Sequence, residues 1–418
     1  MKKEILFLIN LRFYNFLSND LLTKIKKQRN LRVVAILDDF FIDNIPEHLK
    51  GEIEKTYHLS ADKKDGFLHE FNYDDLEGIV SKELKGDDYS TVNFFCSDEF
   101  NLINTNKLRK KFSGKDNSCK DISLFRDKVK MKQKLLNCGV RVPRFITLSK
   151  VDIDNGSISY DLLLSSLGNE FIIKPIDSCG SHGVYHIRSK DEYLAFFDDL
   201  NQYYCDFEAE EFISGTLYHV DSVTRNGEVQ FCAVNRYSVP NFELTQGKVL
   251  GSIPLSSEHA LYKKLEVFSK NALKILGSDN MVNHMEIFDN GKELVFLEVS
   301  GRPPGALVNK VHSLNHGVNL MDIDFLSQLS ISPDINVEKI TNAFWAFFPL
   351  SNGKISSIKE PEIESDYELN WNVSSGEEIN ASSDIVSIAG SIIVTSNNFE
   401  RLNEDFNYIS NFKALEMA

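Results

Sequence analysis

Short, nearly continuous apolar runs alternate with amphipathic stretches along the first third of this chain. Lys3–Ile9 and Leu31–Leu37 read as buried parallel strands, with a helical stretch from Tyr14 to Gln28 between them. Thr91–Phe95 is a third such strand, followed by a helix from about Ser97 to Lys111. Strands alternating with helices predict an α/β unit around a parallel sheet. Ser113–Ser118 is a polar break, and a helix from about Asp121 to Cys138 ends at Gly139, where Pro143 prevents its continuation.

The pattern then changes. Phe171–Pro175 (FIIKP) is a short strand, and Glu208–Ile213 reads as an extended connector. Tyr218–Thr224 and Val229–Val234 form a hairpin, with Arg236 at the end of its second strand. Residues 238–256 show no sustained periodicity, which predicts a long loop able to act as a lid. A helix over Ser257–Leu276 leads to a second hairpin, and a further helix is expected from Ala306 to about Leu329. The last stretch predicts another α/β layer: strands Ala343–Phe348 and Val386–Thr395, then a helix whose Phe399, Leu402, Phe406 and Ile409 form a core stripe.

The second hairpin carries the main chemical signal. Asn290-Gly291 between alternating apolar runs marks its turn. A plain two-residue turn would set Glu298 on the same face as Met285 and Ile287. A three-residue loop, with Gly291 at positive φ, pairs Glu286 with Phe296 and His284 with Glu298. Met285, Ile287, Val295, Leu297 and Val299 then share an apolar face, while His284, Glu286 and Glu298 share the other. A one-residue slip would bury a carboxylate, so the second register is expected. Two carboxylates on one face repel unless a cation lies between them, and oxygen donors of this kind suit Mg²⁺, with Mn²⁺ as a substitute. The competing reading is the solvated face of an ordinary hairpin. Arg302 follows in alternation, ahead of a Pro303-Pro304-Gly305 turn.

Lys174 stands inside FIIKP, where a buried ammonium needs an anionic partner. The loop after it, Ile176–Val184, is rich in Gly and Ser but lacks the GxxxxGK[ST] spacing of a Walker A loop. Its small residues let backbone N–H groups approach an anion. The connector can hold a flat heteroaromatic ring by backbone edges at Glu211 and Ile213. The first strand leads into Asn10-Leu11-Arg12 without GxGxxG, so no dinucleotide site is expected there. His312 and His316 lie one helical turn apart, but no third zinc ligand is evident.

Composition narrows the partners. In 418 residues, 42% are hydrophobic and 30 are Phe, enough for a large core. A net charge of −15 argues against nucleic acid or an anionic membrane as the main partner. No apolar run reaches bilayer length, and Met1-Lys2-Lys3 leads no signal peptide. The six Cys lack CxxC or zinc spacing, and the expected compartment is a reducing cytoplasm.

Four segments in order, FRDKVKMKQKLLNCGVRVP at 125–143, FIIKPIDSCGSHGV at 171–184, EEFISG at 210–215 and MEIF with FLEVSGRPPG at 285–305, resemble the ATP-grasp superfamily. Over about residues 95–418 they look most like its carboxylate–amine ligases, the L-amino-acid (dipeptide) ligases above all. The resemblance implies an α/β (α+β) ATP-grasp fold. Its parts would be an N-terminal α/β domain at 1–115, an ATP-grasp domain at 116–335 with a lid at about 140–212, and a C-terminal α/β subdomain at 336–418. It implies that Lys128 and Lys174 hold ATP phosphates, although a lone lysine on a helix is usually solvated. Ser178, Gly180, Ser181 and Gly183 would cover those phosphates, with Glu210, Glu211, Phe212 and Ile213 around the adenine. Glu286 and Glu298 would hold Mg²⁺, and Arg302 would meet the acyl-phosphate or the substrate carboxylate. Arg236 would add charge neutralisation, and His284 would take the amine's proton or position a group. Two departures stand out: Leu217 where the family often has a ribose-binding glutamate, and Ser300 where it commonly has Asn. The implied reaction joins a small-molecule carboxylate to an amine at the cost of ATP, and a homodimer is compatible with it. The alternatives are a biotin-carboxylase-like enzyme and a non-catalytic ATP-binding relative.

Overall fold

The structure is a computed structural model and describes residues 3–61, 70–114, 118–149, 151–152, 155, 157–199 and 205–418. Residues 115–117 of the anticipated polar break lie outside it. The first sheet contains β1 (Glu4–Ile9), β2 (Leu31–Leu37), β3 (Lys55–His58) and β4 (Thr91–Phe95), parallel throughout and ordered β3-β2-β1-β4. Strand β1 is buried on both faces. Ile5, Phe7 and Ile9 enter one core cluster, while Leu6 and Leu8 enter another. That two-sided burial explains its unbroken apolar run. Strand β3 (KTYH) was not anticipated, because only Tyr57 is sheltered on this polar edge.

A small antiparallel sheet follows, made of β5 (Phe145–Leu148), β6 (Phe171–Pro175), β7 (Tyr185–Ile187) and β8 (Phe207–Glu211) in the order β5-β8-β6-β7. The large sheet begins with β9 (Thr216–Arg225), β10 (Glu228–Tyr237), β11 (Leu250–Pro254), β12 (Met281–Asp289) and β13 (Leu294–Ser300). The C-terminal segment adds β14 (Asn342–Pro349), β15 (Gly353–Ile358), β16 (Asp366–Trp371), β17 (Glu378–Ile379), β18 (Ile388–Ser396) and β19 (Leu415–Met417). Of these, β14, β18 and β16 extend the large sheet, whose order among the described residues is β13-β12-β9-β10-β11-β14-β18-β16. The C-terminal stretch therefore continues the central sheet with three strands, while β15, β17 and β19 form a three-stranded sheet of their own in the order β17-β15-β19. Its helix Phe399–Ser410 covers that sheet with Leu402, Phe406 and Ile409 buried.

Three expectations change, and in the first two a polar or glycine residue interrupts what periodicity alone joins. The helix expected over Asp121–Cys138 is a 3₁₀ turn at Ile122–Phe125 and a separate helix at Lys128–Leu136. Asp121 caps the first and Asp127 the second, the latter accepting from Lys130 N at 2.9 Å. The helix expected over Ala306–Leu329 is two, Val308–His316 and Leu320–Gln328, divided at Gly317 with φ 67° and recapped by Asn319. The stretch 238–256 is not an open loop. A 3₁₀ turn at Asn241–Gln246 leads into β11, which hydrogen-bonds between β10 and β14. Gly251 and Ser252 hid that strand from a hydrophobicity pattern, yet a Cβ at Gly251 would lie 2.8 Å from Trp345 O. Among the described residues no helix is long and apolar enough to cross a membrane.

Candidate active site

The cleft lies where the small sheet, the large sheet and the end of the first sheet face one another. Its floor includes the β12–β13 hairpin, whose register differs from the expected one. His284 pairs with Ser300, Met285 with Val299 and Glu286 with Glu298, then the ladder shifts so that Ile287 pairs with Phe296. The extra residue is Leu297 within the strand, not a residue of the turn. The bulge has a physical consequence. Phe296 joins Met285, Ile287 and Val299 in the core, while Leu297 turns to the cleft. Val295 packs in the other cluster with Phe288. Glu286 and Glu298 thus stand directly opposite each other, both lining the cleft.

Glu286 is buried and accepts from Asn241 Nδ2 at 2.7 Å. Glu298 is partly exposed, with Lys128 Nζ at 3.6 Å. Two opposed carboxylates and the buried hydroxyl Ser300 Oγ, which has no hydrogen-bond partner among the described residues, make an oxygen donor set that fits Mg²⁺. Asn241 Oδ1 and Ser178 Oγ are two further buried, unpartnered polar atoms of cleft residues. Such atoms are costly without a polar ligand.

Lys128 opens its helix, is buried, and donates to Ser178 O at 2.6 Å. Lys174 is buried in β6 and bonds Glu210 at 2.6 Å. Lys132, one helical turn after Lys128 and fully buried, bonds Glu208 and Glu210, each at 2.6 Å. Burial works against the charge on Glu210, but Lys132 and Lys174 outweigh it and hold the carboxyl at about 2. Lys174 is shifted upward: burial opposes its charge, and Glu210 and Glu208 more than offset that. Glu210 therefore anchors lysines. Lys132 and Glu208 were missed, although Lys128/Lys132 at i, i+4 and Glu208/Glu210 at i, i+2 each share a face.

The glycine-rich loop curls over this cluster, with Gly180, Ser181 and Gly183 at φ 66°, 60° and 71°. Gly180 O accepts from Ile385 N at 3.2 Å, which ties the loop to the C-terminal segment. Glu211 turns its carboxylate to Arg141 and Arg144, and its N–H is already given to Arg144 O at 2.8 Å. An edge contact from Glu211 would use its carbonyl. Phe212 stacks on His186 at 4.3 Å, and Phe212, Ile213, Ile172, Val184 and Leu297 line this end of the cleft. Leu217 is buried in the adjoining apolar cluster and lines the cleft as well.

Arg302 is partly buried and donates from Nε to Glu99 Oε2 at 2.7 Å, with Nη2 on the same oxygen and Nη1 on Pro303 O at 2.8 Å. Arg126 meets the other oxygen of Glu99 at 3.2 Å. Burial alone would raise the Glu99 carboxyl, yet Arg302 and Arg126 hold it at about 2. Behind Glu286, Asp221 accepts from three imidazoles: His219 at 2.7 Å, His284 at 2.6 Å and His312 at 2.7 Å. Burial opposes protonation of His284, but Asp221 and then Glu286 raise it to about 10. His312 is thereby accounted for as a buried partner of Asp221.

The structure brings Lys128, Lys174, Ser178, Gly180, Ser181, Glu210, Glu211, Phe212, Ile213, His284, Glu286, Glu298 and Arg302 to one cleft. Gly183, within the loop, does not line the cleft, and Arg236 is not among them either. Its neighbours in β10, Asn235 and Tyr237, face the cleft side, so alternation turns Arg236 to the opposite face, where its guanidinium lies 5.4 Å from the Phe406 ring centre.

Comparison with known proteins bears on the fold. Residues 125–306 match the ATP-grasp domain family. The chain is 24% identical over 241 residues to an L-arginine-specific L-amino acid ligase of Bacillus subtilis, covering 56% of each chain. It is 23% identical over 236 residues to a D-alanine–D-alanine ligase of Lactobacillus gasseri, covering 53% of this chain and 64% of that one. The matches thus span less than two thirds of these curated relatives. The crystal structure of an L-amino acid ligase from Bacillus licheniformis superposes with a TM-score of 0.70 at 14% identity over the whole of both chains. Residues 125–306 of the chain are an ATP-grasp domain.

Proposed function

We propose that this protein is an ATP-dependent ligase that joins a carboxylate, an amino acid, to an amine through an acyl-phosphate, releasing ADP and phosphate. The observation that carries this reading is Glu286 directly opposite Glu298 in a cleft that also holds Lys128, Lys174 and Arg302. Six cysteines, with no disulfide among the described residues, support a reducing, cytoplasmic setting.

In the first step a carboxylate oxygen attacks the γ-phosphorus of ATP, forming the acyl-phosphate as ADP leaves. In the second, a neutral amine attacks the acyl carbon, phosphate leaves, and the nitrogen loses a proton. Phosphoryl transfer asks mainly for positioning and charge neutralisation. Lys128 and Lys174 suit that task because both are buried and held in place, Lys174 by Glu210 and Lys128 by Ser178 O. Glu286, Glu298 and Ser300 are the residues that would hold Mg²⁺, which when bound neutralises phosphate charge. Arg302 has three of its five N–H groups engaged by Glu99 and Pro303, which fixes its plane. The remaining two are suited to oxygens that gain charge as bonds change. His284 is held by Asp221 at 2.6 Å and lies 3.7 Å from Glu286, and both carboxylates favour its charged form, so it suits orientation of Glu286 better than removal of the amine's proton.

The test is ADP release across pairs of amino acids. Glu286→Gln and Glu298→Gln should each abolish it while the protein still melts cooperatively. Normal turnover in both variants would remove the metal assignment.

A further inference from the structure

From β12 the large sheet continues through β9 to β10, β11 and β14, and the cleft follows it to an apolar end that the nucleotide reading does not use. Its walls are Tyr237 of β10, Leu250 of β11, Trp345 of β14, Val308, and Ile385 of the C-terminal segment. These pack as part of one cluster. Ser252 pairs with both Tyr237 and Trp345, so the two rings stand on one sheet face across three neighbouring strands. None of the five belongs to the small sheet, from which Ile172 and Glu210 line the cleft. The link to the reacting end is short, because Ile385 N bonds Gly180 O of the glycine-rich loop.

Charge decides what such an end can hold. Each carboxylate lining the cleft already has a partner: Glu99 two arginines, Glu210 two lysines, Glu211 two arginines, Glu286 Asn241 and Glu298 Lys128. The cations have carboxylate partners likewise: Arg12 has Asp98, Lys128 has Glu298, Lys174 has Glu210, His284 has Asp221, and Arg302 has Glu99, its two remaining N–H groups being those assigned to the reacting oxygens. A charged side chain brought here would lose its hydration without an opposite charge to replace it. An apolar one would gain from the transfer.

We propose that this end is the side-chain pocket for one of the two joined molecules, and that it selects an amino acid with a large apolar side chain of leucine, methionine or phenylalanine size. The inference rests on the ligase reading above. Leucine-sized substrates should exceed alanine by about ten- to a hundred-fold in kcat/KM. Arginine and aspartate should fall below that range.

Two measurements on the full chain separate this inference from the reading beneath it. One is equilibrium binding of leucine, phenylalanine, alanine, arginine and aspartate in the presence of Mg²⁺ and a non-hydrolysable ATP analogue. The other is ADP release over the same amino acids in pairs. Binding and turnover that favour leucine or phenylalanine tenfold or more support the pocket. In Ile385→Asp the preference for apolar side chains should fall at least tenfold and that for arginine should rise, while Ile385→Val should keep the original order. Apolar preference in binding without ADP release from any pair would leave the pocket standing and sink the ligase reading. Turnover confined to small or charged amino acids, or an order unchanged in Ile385→Asp, would overturn the pocket while the ligase reading survives.

Discussion

Glu99 comes from the segment that follows the first sheet, yet its oxygens face Arg126 and Arg302 of the ATP-grasp domain. Replacing it by glutamine would leave two largely buried guanidiniums short of their counter-charge. Breaking a buried pair in this way typically costs about 3–5 kcal/mol, so Glu99→Gln should lower the urea midpoint by a corresponding amount. The carboxyl is depressed from 4.5 to about 2. A depressed carboxyl contributes stability that is present above its unfolded value and lost as pH falls through its folded one. Wild type should therefore lose stability between about pH 4.5 and 2, and Glu99→Gln should lose less over the same window. Equal slopes of stability against pH in the two proteins would contradict this. The signal for Lys174 was local, since a lysine inside an apolar strand demands a partner. Glu99 had no such signal, because its partner Arg302 lies 203 residues away. Asp221 was hidden in part: His219 shares its face two residues earlier on β9, but His284 and His312 reach it only once β12 and the Val308–His316 helix pack against β9.

The connector between the small and large sheets is held by one contact that only glycine permits. A Cβ on Gly215 would sit 2.3 Å from Asp289 O, at the end of β12. In Gly215→Ala either the connector or the hairpin end must move. The expected cost is about 1–3 kcal/mol, with a raised KM for ATP because Phe212 and Ile213 move with the connector. Unchanged stability together with unchanged KM would refute that coupling. Most elements were legible where the chain alternates plainly: β4 and β6 begin and end where their apolar runs do. The β12–β13 register was legible only to within its bulge. A turn signal at Asn290-Gly291 does not reveal that Leu297 leaves the ladder, and tertiary packing decides whether Phe296 or Leu297 enters the core. Strand β11 was illegible because its glycine and serine are there for contacts with Trp345 and His219, not for burial of their own.

At the scale of the whole chain, no single segment owns the cleft. The first sheet's end supplies Arg12 and Glu99, the small sheet supplies Lys174 and Glu210, the large sheet supplies Glu286 and Glu298, and the C-terminal strands supply Trp345. The ATP-grasp character was readable because its segments occur in order. The shared sheet was not, since nothing in Asn342–Ser396 announces which strand it will join. The account's central claim is that an acyl-phosphate forms here before any amide does. Hydroxylamine trapping tests it most directly, with ATP, Mg²⁺ and each amino acid in turn. Wild type should yield a hydroxamate together with ADP. Arg302→Lys should yield about a hundred- to a thousand-fold less, at unchanged ATP affinity. ADP formed without hydroxamate, or trapping unchanged in Arg302→Lys, would contradict the account.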